Sequence, residues 1–320
     1  MAKYRNALPQ MSGELFLTDG GIETTLVFHE GVELPHFAAF HLLQSPEGTA
    51  VLHKCYSAYA DIATRLDTGL ILEAATWRAS RDWGERLGYS AYLLESANRK
   101  AVALLEAVRG AYEQAVKPIV ISGCLGPRAD GYRAENKMSV AAARDYHAAQ
   151  IHTLADTEVD MLCAMTLNYT DEATGIALAA RDAGMPLAIS FTVETDGRLP
   201  DGPSLRDAIE QVDRETDSYP LYYMINCAHP THFQTMLNQD TGPWQGRIRG
   251  IRANASSKSH AELDAATELD SGDPAELASQ YVELKGQLEQ LNILGGCCGT
   301  DPHHIREIAR LCRPLFAPEH

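Results

Sequence analysis

The chain has 320 residues, 45% of them hydrophobic, with 27 Lys and Arg against 43 Asp and Glu for a formal net charge of -16. Such a surface repels phosphate, which argues against nucleic-acid and anionic-membrane partners and makes a small molecule the expected partner. No apolar run reaches the roughly 20 residues that span a bilayer, and the segment from Met1 to Asn6 lacks the apolar core of a signal peptide, so a cytoplasmic location is expected.

Eight apolar, strand-like runs alternate with helical patterns: Leu15 to Thr18, Leu70 to Ala75, Pro118 to Ser122, Asp160 to Thr166, Leu187 to Val193, Leu221 to Asn226, Ile248 to Ala253 and Leu291 to Leu294. Strands alternating with helices predict a parallel sheet of βα units. Ser45-Pro46-Glu47, Asp273-Pro274 and Asp301-Pro302 each place a capping side chain before a proline at the first helical position. Gly184 followed by Pro186 ends a helix that begins near Asp171. Leu93, Leu94, Ala97, Ala101, Leu104, Leu105 and Val108 form one apolar stripe, as a helix packed on a sheet requires.

Eight units, with chemically notable residues at the ends of both the first and last strands, favour a closed (β/α)8 TIM barrel over an open sheet. No linker rich in Pro, Gly or Ser divides the chain, so a single domain over residues 1–320 is expected. The longest irregular stretches, Cys124 to Met138 and Glu194 to Pro203, follow strands three and five and belong on the catalytic face.

The chain has seven cysteines: Cys55, Cys124, Cys163, Cys227, Cys297, Cys298 and Cys312. An odd number in a long chain points to metal binding or thiol chemistry before disulfides. Cys227 and the vicinal pair Cys297 and Cys298 stand at the ends of strands six and eight and would fill three of the four positions of a catalytic zinc ion. Both members of the pair reach one ion only if the chain turns there, which Gly295, Gly296 and Gly299 permit. The open position suits a substrate thiol, which zinc deprotonates at neutral pH. The glycine-flanked pair also admits a redox role. His229 is a rival ligand, His303 and His304 are expected as solvated or capping residues, and the other four cysteines are expected in the core.

Thr18-Asp19-Gly20-Gly21 with Thr24 and Leu26, Ala75-Thr76-Trp77-Arg78-Ala79-Ser80, Ser190-Phe191-Thr192, Ile225-Asn226-Cys227 and Gly295-Gly296-Cys297-Cys298-Gly299-Thr300 together resemble the homocysteine S-methyltransferase family, across nearly the whole chain. The family includes betaine-dependent enzymes and the homocysteine module of methionine synthase. The resemblance implies zinc held by Cys227, Cys297 and Cys298, with Asp19 and Gly20 near the substrate amino acid and Thr76 within the matching stretch after strand two. It also implies methyl transfer from a sulfonium or ammonium donor (S-methylmethionine, S-adenosylmethionine or betaine) to a thiol, homocysteine first, to give methionine. A homo-oligomer is left open.

One position departs from the family. Relatives usually carry Phe-Glu-Thr at the end of strand four, where the glutamate holds the homocysteine ammonium, and this chain has Ala164-Met165-Thr166. Met165 accepts no such hydrogen bond, so Glu73, a carboxylate inside an apolar strand, is the expected replacement and Glu194 the alternative. An outward Glu73 paired with a helix cation is the plain structural reading. Trp77 is a candidate wall for a cationic donor or an ordinary packing residue, and Asn226 is expected to orient the Cys227 loop or to touch substrate. The competing functions are a zinc barrel that takes another thiol or activates water, and a metal- or thiol-binding protein without catalysis.

Overall fold

In the computed structural model, which describes residues 2–266 and 268–316, eight parallel strands close into a barrel in sequence order. They are β1 (Phe16–Leu17), β2 (Gly69–Glu73), β3 (Ile119–Leu125), β4 (Met161–Leu167), β5 (Leu187–Phe191), β6 (Tyr222–Asn226), β7 (Ile248–Ala253) and β8 (Ile293–Gly296). Closure is made by β1, which pairs with β2 on one side and with β8 on the other. Every expected strand is present. The ends move where pairing rather than apolarity decides them: β3 runs on to Leu125 and β8 to Gly296, while Leu291 and Asn292 precede the last strand. Asn292 instead spends its amide tying the barrel floor, donating to the carbonyls of Gln10 at 2.8 Å and Glu14 at 2.7 Å.

Helices alternate with the strands and their caps follow the local chemistry. The Ser45 hydroxyl accepts from Gly48 N at the start of helix Pro46–Leu66. Asp273 and Asp301 cap Pro274–Gln287 and Pro302–Cys312 in the same manner. Helix Thr170–Asp182 gives way to Gly184 at φ +64°, a left-handed position that suits glycine. In helix Ala91–Tyr112 the stripe from Ala97 to Val108 is buried, but Leu93, in the first turn, is half exposed. Among the described residues no helix is long and apolar enough to cross a membrane.

Strand alternation divides the core in two. Leu70, Leu72, Ile225, Ile251 and Ala253 face the helices. Phe16, Ile71, Val120, Met161, Tyr222, Met224 and Ile293 fill the barrel interior. Above them, toward the C-terminal strand ends, polar groups replace the hydrocarbon. The loops after β3 and β5 rise from that same face, where barrels of this type hold their sites.

Candidate metal centre

At the C-terminal face, Cys227 follows β6 and the pair Cys297 and Cys298 follows β8, and their three sulfurs lie within 4.8 Å of one another. Cys227 and Cys297 are the pair in direct sulfur contact, drawn as a disulfide over a Cα separation of 5.3 Å. The sequence favours metal before disulfide, and three sulfurs gathered from two strand ends are the arrangement one shared ion requires. Reduced, they form a soft, three-sulfur donor set of the kind zinc prefers, with one position left for a ligand.

The backbone is shaped for this. Cys227 has φ +55°, a left-handed conformation unusual for a side-chain-bearing residue, and its carbonyl is held by several donors. His260 Nε2 lies 2.6 Å from it, Asn254 Nδ2 3.0 Å and Thr192 Oγ1 3.5 Å. On the other strand, only Gly299 of the three expected turn glycines has positive φ, at +80°. Gly295 and Gly296 are required for space instead, since a Cβ on the first would strike the Thr18 hydroxyl and one on the second the Thr300 hydroxyl. Thr300 Oγ1 donates back to the Cys297 carbonyl at 2.7 Å and closes the turn.

Asn226 orients the cluster. Its Oδ1 accepts from Thr166 N at 2.9 Å and Ser190 Oγ at 2.6 Å, and its Nδ2 donates to Thr166 Oγ1 at 2.8 Å and faces Cys297 Sγ at 3.9 Å. With both ends of its amide engaged, Asn226 is a positioning residue. His229 stands outside the sulfur cluster: it caps helix Pro230–Gln239, its Nδ1 is 2.8 Å from Thr231 Oγ1, and burial lowers its pKa to about 4. His304 caps its own helix through Asp301, as expected of it.

The residues expected near substrate divide into two groups. Thr76 is fully buried and its hydroxyl donates to the Cys124 carbonyl at 2.7 Å, so it braces two strands. Gly20 is packed against Tyr59 and Thr300, where a Cβ would come within about 3 Å of both. Trp77 donates its indole N–H to the Met165 carbonyl at 3.3 Å, and the Arg78 guanidinium lies 4.1 Å from its ring centroid. One face of Trp77 therefore already holds a cation, and Arg78 is itself sandwiched against Trp83 at 3.6 Å. As a wall for a cationic donor, Trp77 has only its remaining face. Met165 packs into the barrel interior with its sulfur 3.3 Å from Cys163 Sγ.

Glu73 does not face outward. It shares the inward register of Ile71, is 6% exposed, and its Oε2 has no hydrogen-bond partner. Burial pushes its carboxyl up to about 7, while Arg252 pulls it down. Glu194 instead lies at the rim beside His260, with 3.4 Å between Oε1 and Nδ1. Asp19 is buried and bound to Arg252, and desolvation raises its pKa against the pull of that guanidinium.

Besides Asn254 and His260 of the carbonyl clamp, Arg252 and Tyr132 stand at this face without a place in the sequence analysis. Arg252 of β7 points inward between Asp19 and Glu73, and its charge within an apolar strand is the same signal that draws attention to Glu73. Tyr132, on the loop after β3, sets its hydroxyl 3.4 Å from Cys298 Sγ and stacks on His260 at 4.2 Å between centroids. Nothing in the local spacing around Tyr132 signals that contact, which depends on how the loop folds back.

A family model described as homocysteine S-methyltransferase matches residues 16–312. Among curated proteins, the chain is 26% identical to a selenocysteine Se-methyltransferase of Brassica oleracea var. italica, over 93% of this chain and 88% of that one. It is 23% identical to homocysteine S-methyltransferase 1 of Arabidopsis thaliana, over 93% of each. Among solved structures, the oxidised form of the Escherichia coli homocysteine methyltransferase MmuM superposes with a TM-score of 0.74 at 20% identity, covering 96% of this chain and 99% of that one. The metallated form of the same protein gives 0.71 at 21% identity, over 95% and 98%.

Proposed function

The chain belongs to the homocysteine S-methyltransferase family, and from that premise we propose that it moves a methyl group from a sulfonium or ammonium donor to the thiol of an amino acid, homocysteine being the first to test. The observation that carries the reading is the meeting of Cys227, Cys297 and Cys298 at the catalytic face of the barrel. We assign these three thiolates as ligands of zinc, which when bound supplies the charge that keeps a substrate thiol deprotonated at neutral pH.

The chain's own residues hold and aim the reactants. Asn226 and the carbonyl clamp of Asn254 and His260 fix the sulfur positions. Glu73 supplies the acceptor for the substrate ammonium that Met165 cannot, since it is the inward carboxylate with an unpartnered oxygen. The thiolate sulfur forms the new S–CH3 bond as the donor's bond to that methyl breaks, its electron pair returning to the donor heteroatom. No general base is required, and the rate derives from bringing two held reactants into line.

A second acceptor class has a specific motive. Met165 stands where the resembled family carries glutamate, a difference that would alter the ammonium site, and one relative is named for a selenol acceptor. Reduced, zinc-loaded protein assayed with homocysteine and with selenocysteine, against S-methylmethionine, S-adenosylmethionine and betaine in turn, tests both readings. Methionine formed with any donor supports the first. Turnover of the selenol alone moves the assignment to the second, and no turnover with any pair while zinc stays bound overturns methyl transfer.

A further inference from the structure

At the barrel mouth the Arg252 guanidinium lies among carboxylates, and its hydrogen bonds are incomplete. Arg252 is 5% exposed, on the inward face of β7 between the outward Ile251 and Ala253. Its Nε donates to the Gly296 carbonyl at 3.1 Å, the carbonyl that immediately precedes Cys297. Its Nη2 donates to Asp19 Oδ1 and lies 3.4 Å from the Gly20 carbonyl. Its Nη1 is buried and has no partner. Across the interior, Glu73 Oε2 is likewise buried and unpartnered, and the two side chains are not joined as an ion pair among the described residues.

Two opposite, buried charges that each keep an open hydrogen-bonding atom at the same barrel mouth form a pair that a bridging dipolar group, or ordered water in its absence, would complete. Asp19 already commits Oδ1 to Arg252, whereas Glu73 keeps an oxygen without a partner, so Glu73 is the less committed acceptor for a substrate ammonium. The donors still open on Arg252 and the acceptor still open on Glu73 match the two ends of one zwitterion. A guanidinium is suited to a carboxylate, which it meets in a planar, charge-assisted geometry. Because Arg252 is bonded at the residue before Cys297, a carboxylate on Nη1 sits within a short side chain's reach of the sulfur cluster.

We propose that Arg252 is the carboxylate anchor of the acceptor site, holding the carboxylate of the amino-acid acceptor while Glu73 holds its ammonium. This rests on the reading of the site as a thiol methyltransferase and specifies which thiols it takes. Arg252 acts on binding and orientation, and thiols of the same length without a carboxylate are poor ligands.

The test is calorimetric titration of reduced, zinc-loaded protein, without methyl donor, using homocysteine and its decarboxylated counterpart 3-aminopropane-1-thiol. Wild type is expected to prefer homocysteine by about 10- to 100-fold, the span of one to two lost charge-assisted hydrogen bonds. In Arg252→Met, and in Asp19→Asn with Arg252→Met, where no orphaned carboxylate is left behind, the preference is expected to fall to about 3-fold or less, on the same arithmetic. The amine thiol is expected to keep its wild-type affinity in the double variant. A purely structural arginine would weaken both ligands together and leave their ratio intact. Equal affinity of wild type for the two thiols overturns the anchor and leaves methyl transfer standing, whatever the stability of the variants. A double variant that retains the preference also overturns it. If wild type binds neither thiol, the functional reading falls and this inference with it.

Discussion

Glu73 sits where hydrocarbon would be cheaper, and its titration makes that cost measurable. Its carboxyl has an ordinary value of 4.5 and is raised to about 7 by burial. Between those values the unfolded chain is ionised while the folded one keeps the proton, so stability falls as pH rises from about 4.5 to about 7 and is flat on either side. Glu23, also pushed up to about 7 by desolvation, contributes in the same window. Glu73→Gln is expected to flatten part of that slope in denaturant melts taken across pH. It is also expected to raise the acceptor KM about 10-fold, the loss of roughly one charge-assisted hydrogen bond, with little change in kcat. In wild type the acceptor KM should fall as pH rises through about 7, when Glu73 ionises, and in the variant that dependence should vanish. An unchanged KM and pH profile would remove Glu73 from the site. The sequence marks Glu73 because a carboxylate in an apolar strand needs a reason. It marks Arg252 by the same rule, but the pairing of Arg252 with Asp19 spans 233 positions and is visible only in the fold.

At the scale of elements, the β8 turn depends on contacts from its neighbours as much as on its glycines. Tyr281, on helix Pro274–Gln287, places its hydroxyl against two strands, donating to the Gly295 carbonyl at 2.6 Å and accepting from Ala253 N at 2.8 Å. Tyr281→Phe strips a partner from both buried backbone groups and is expected to cost about 2 kcal/mol in urea unfolding. Since Gly295 leads into the cysteine pair, metal affinity should drop as well; a variant with native zinc affinity would show that the turn holds without the tyrosine. Gly296→Ala tests space rather than torsion, because its Cβ would meet the Thr300 hydroxyl that closes the turn. It is expected to destabilise by about 1–3 kcal/mol and to bind less zinc, read by metal analysis of the purified protein. From the sequence, all three glycines look like torsional hinges; the structure assigns that role to Gly299 and makes the other two sites of close approach.

For the whole molecule, the disulfide and the proposed metal compete for the same sulfurs. A Cys227–Cys297 disulfide would consume two of the three ligands, so zinc uptake is expected to be greater in reduced than in oxidised protein. At 100-fold excess over its Kd the metal should then stabilise the fold by about 2.7 kcal/mol, seen as a rise in Tm that a chelator reverses. Cys227→Ala, Cys297→Ala and Cys298→Ala should each lose most of the bound zinc; full occupancy in all three would overturn the ligand set. Binding here couples residues 70 positions apart, because β6 and β8 flank β7 and their C-terminal ends open on the same face of the barrel.

Much of the architecture is written locally. Eight apolar runs, capped helices and the absence of a dividing linker are short-range features, and the βα alternation leaves few ways to bury them, so the barrel follows from the sequence. The three cysteines follow too, because vicinal thiols among glycines suit a hydrophobic core poorly and stand at a strand end. Tertiary structure alone decided the rest. It turned Glu73 inward, spent the Thr76 and Asn226 side chains on bracing, covered one face of Trp77 with Arg78, and brought Tyr132 to Cys298. Each of these depends on which groups meet across the barrel mouth. That is set by strand register and loop packing over long sequence distances, which local pattern does not encode.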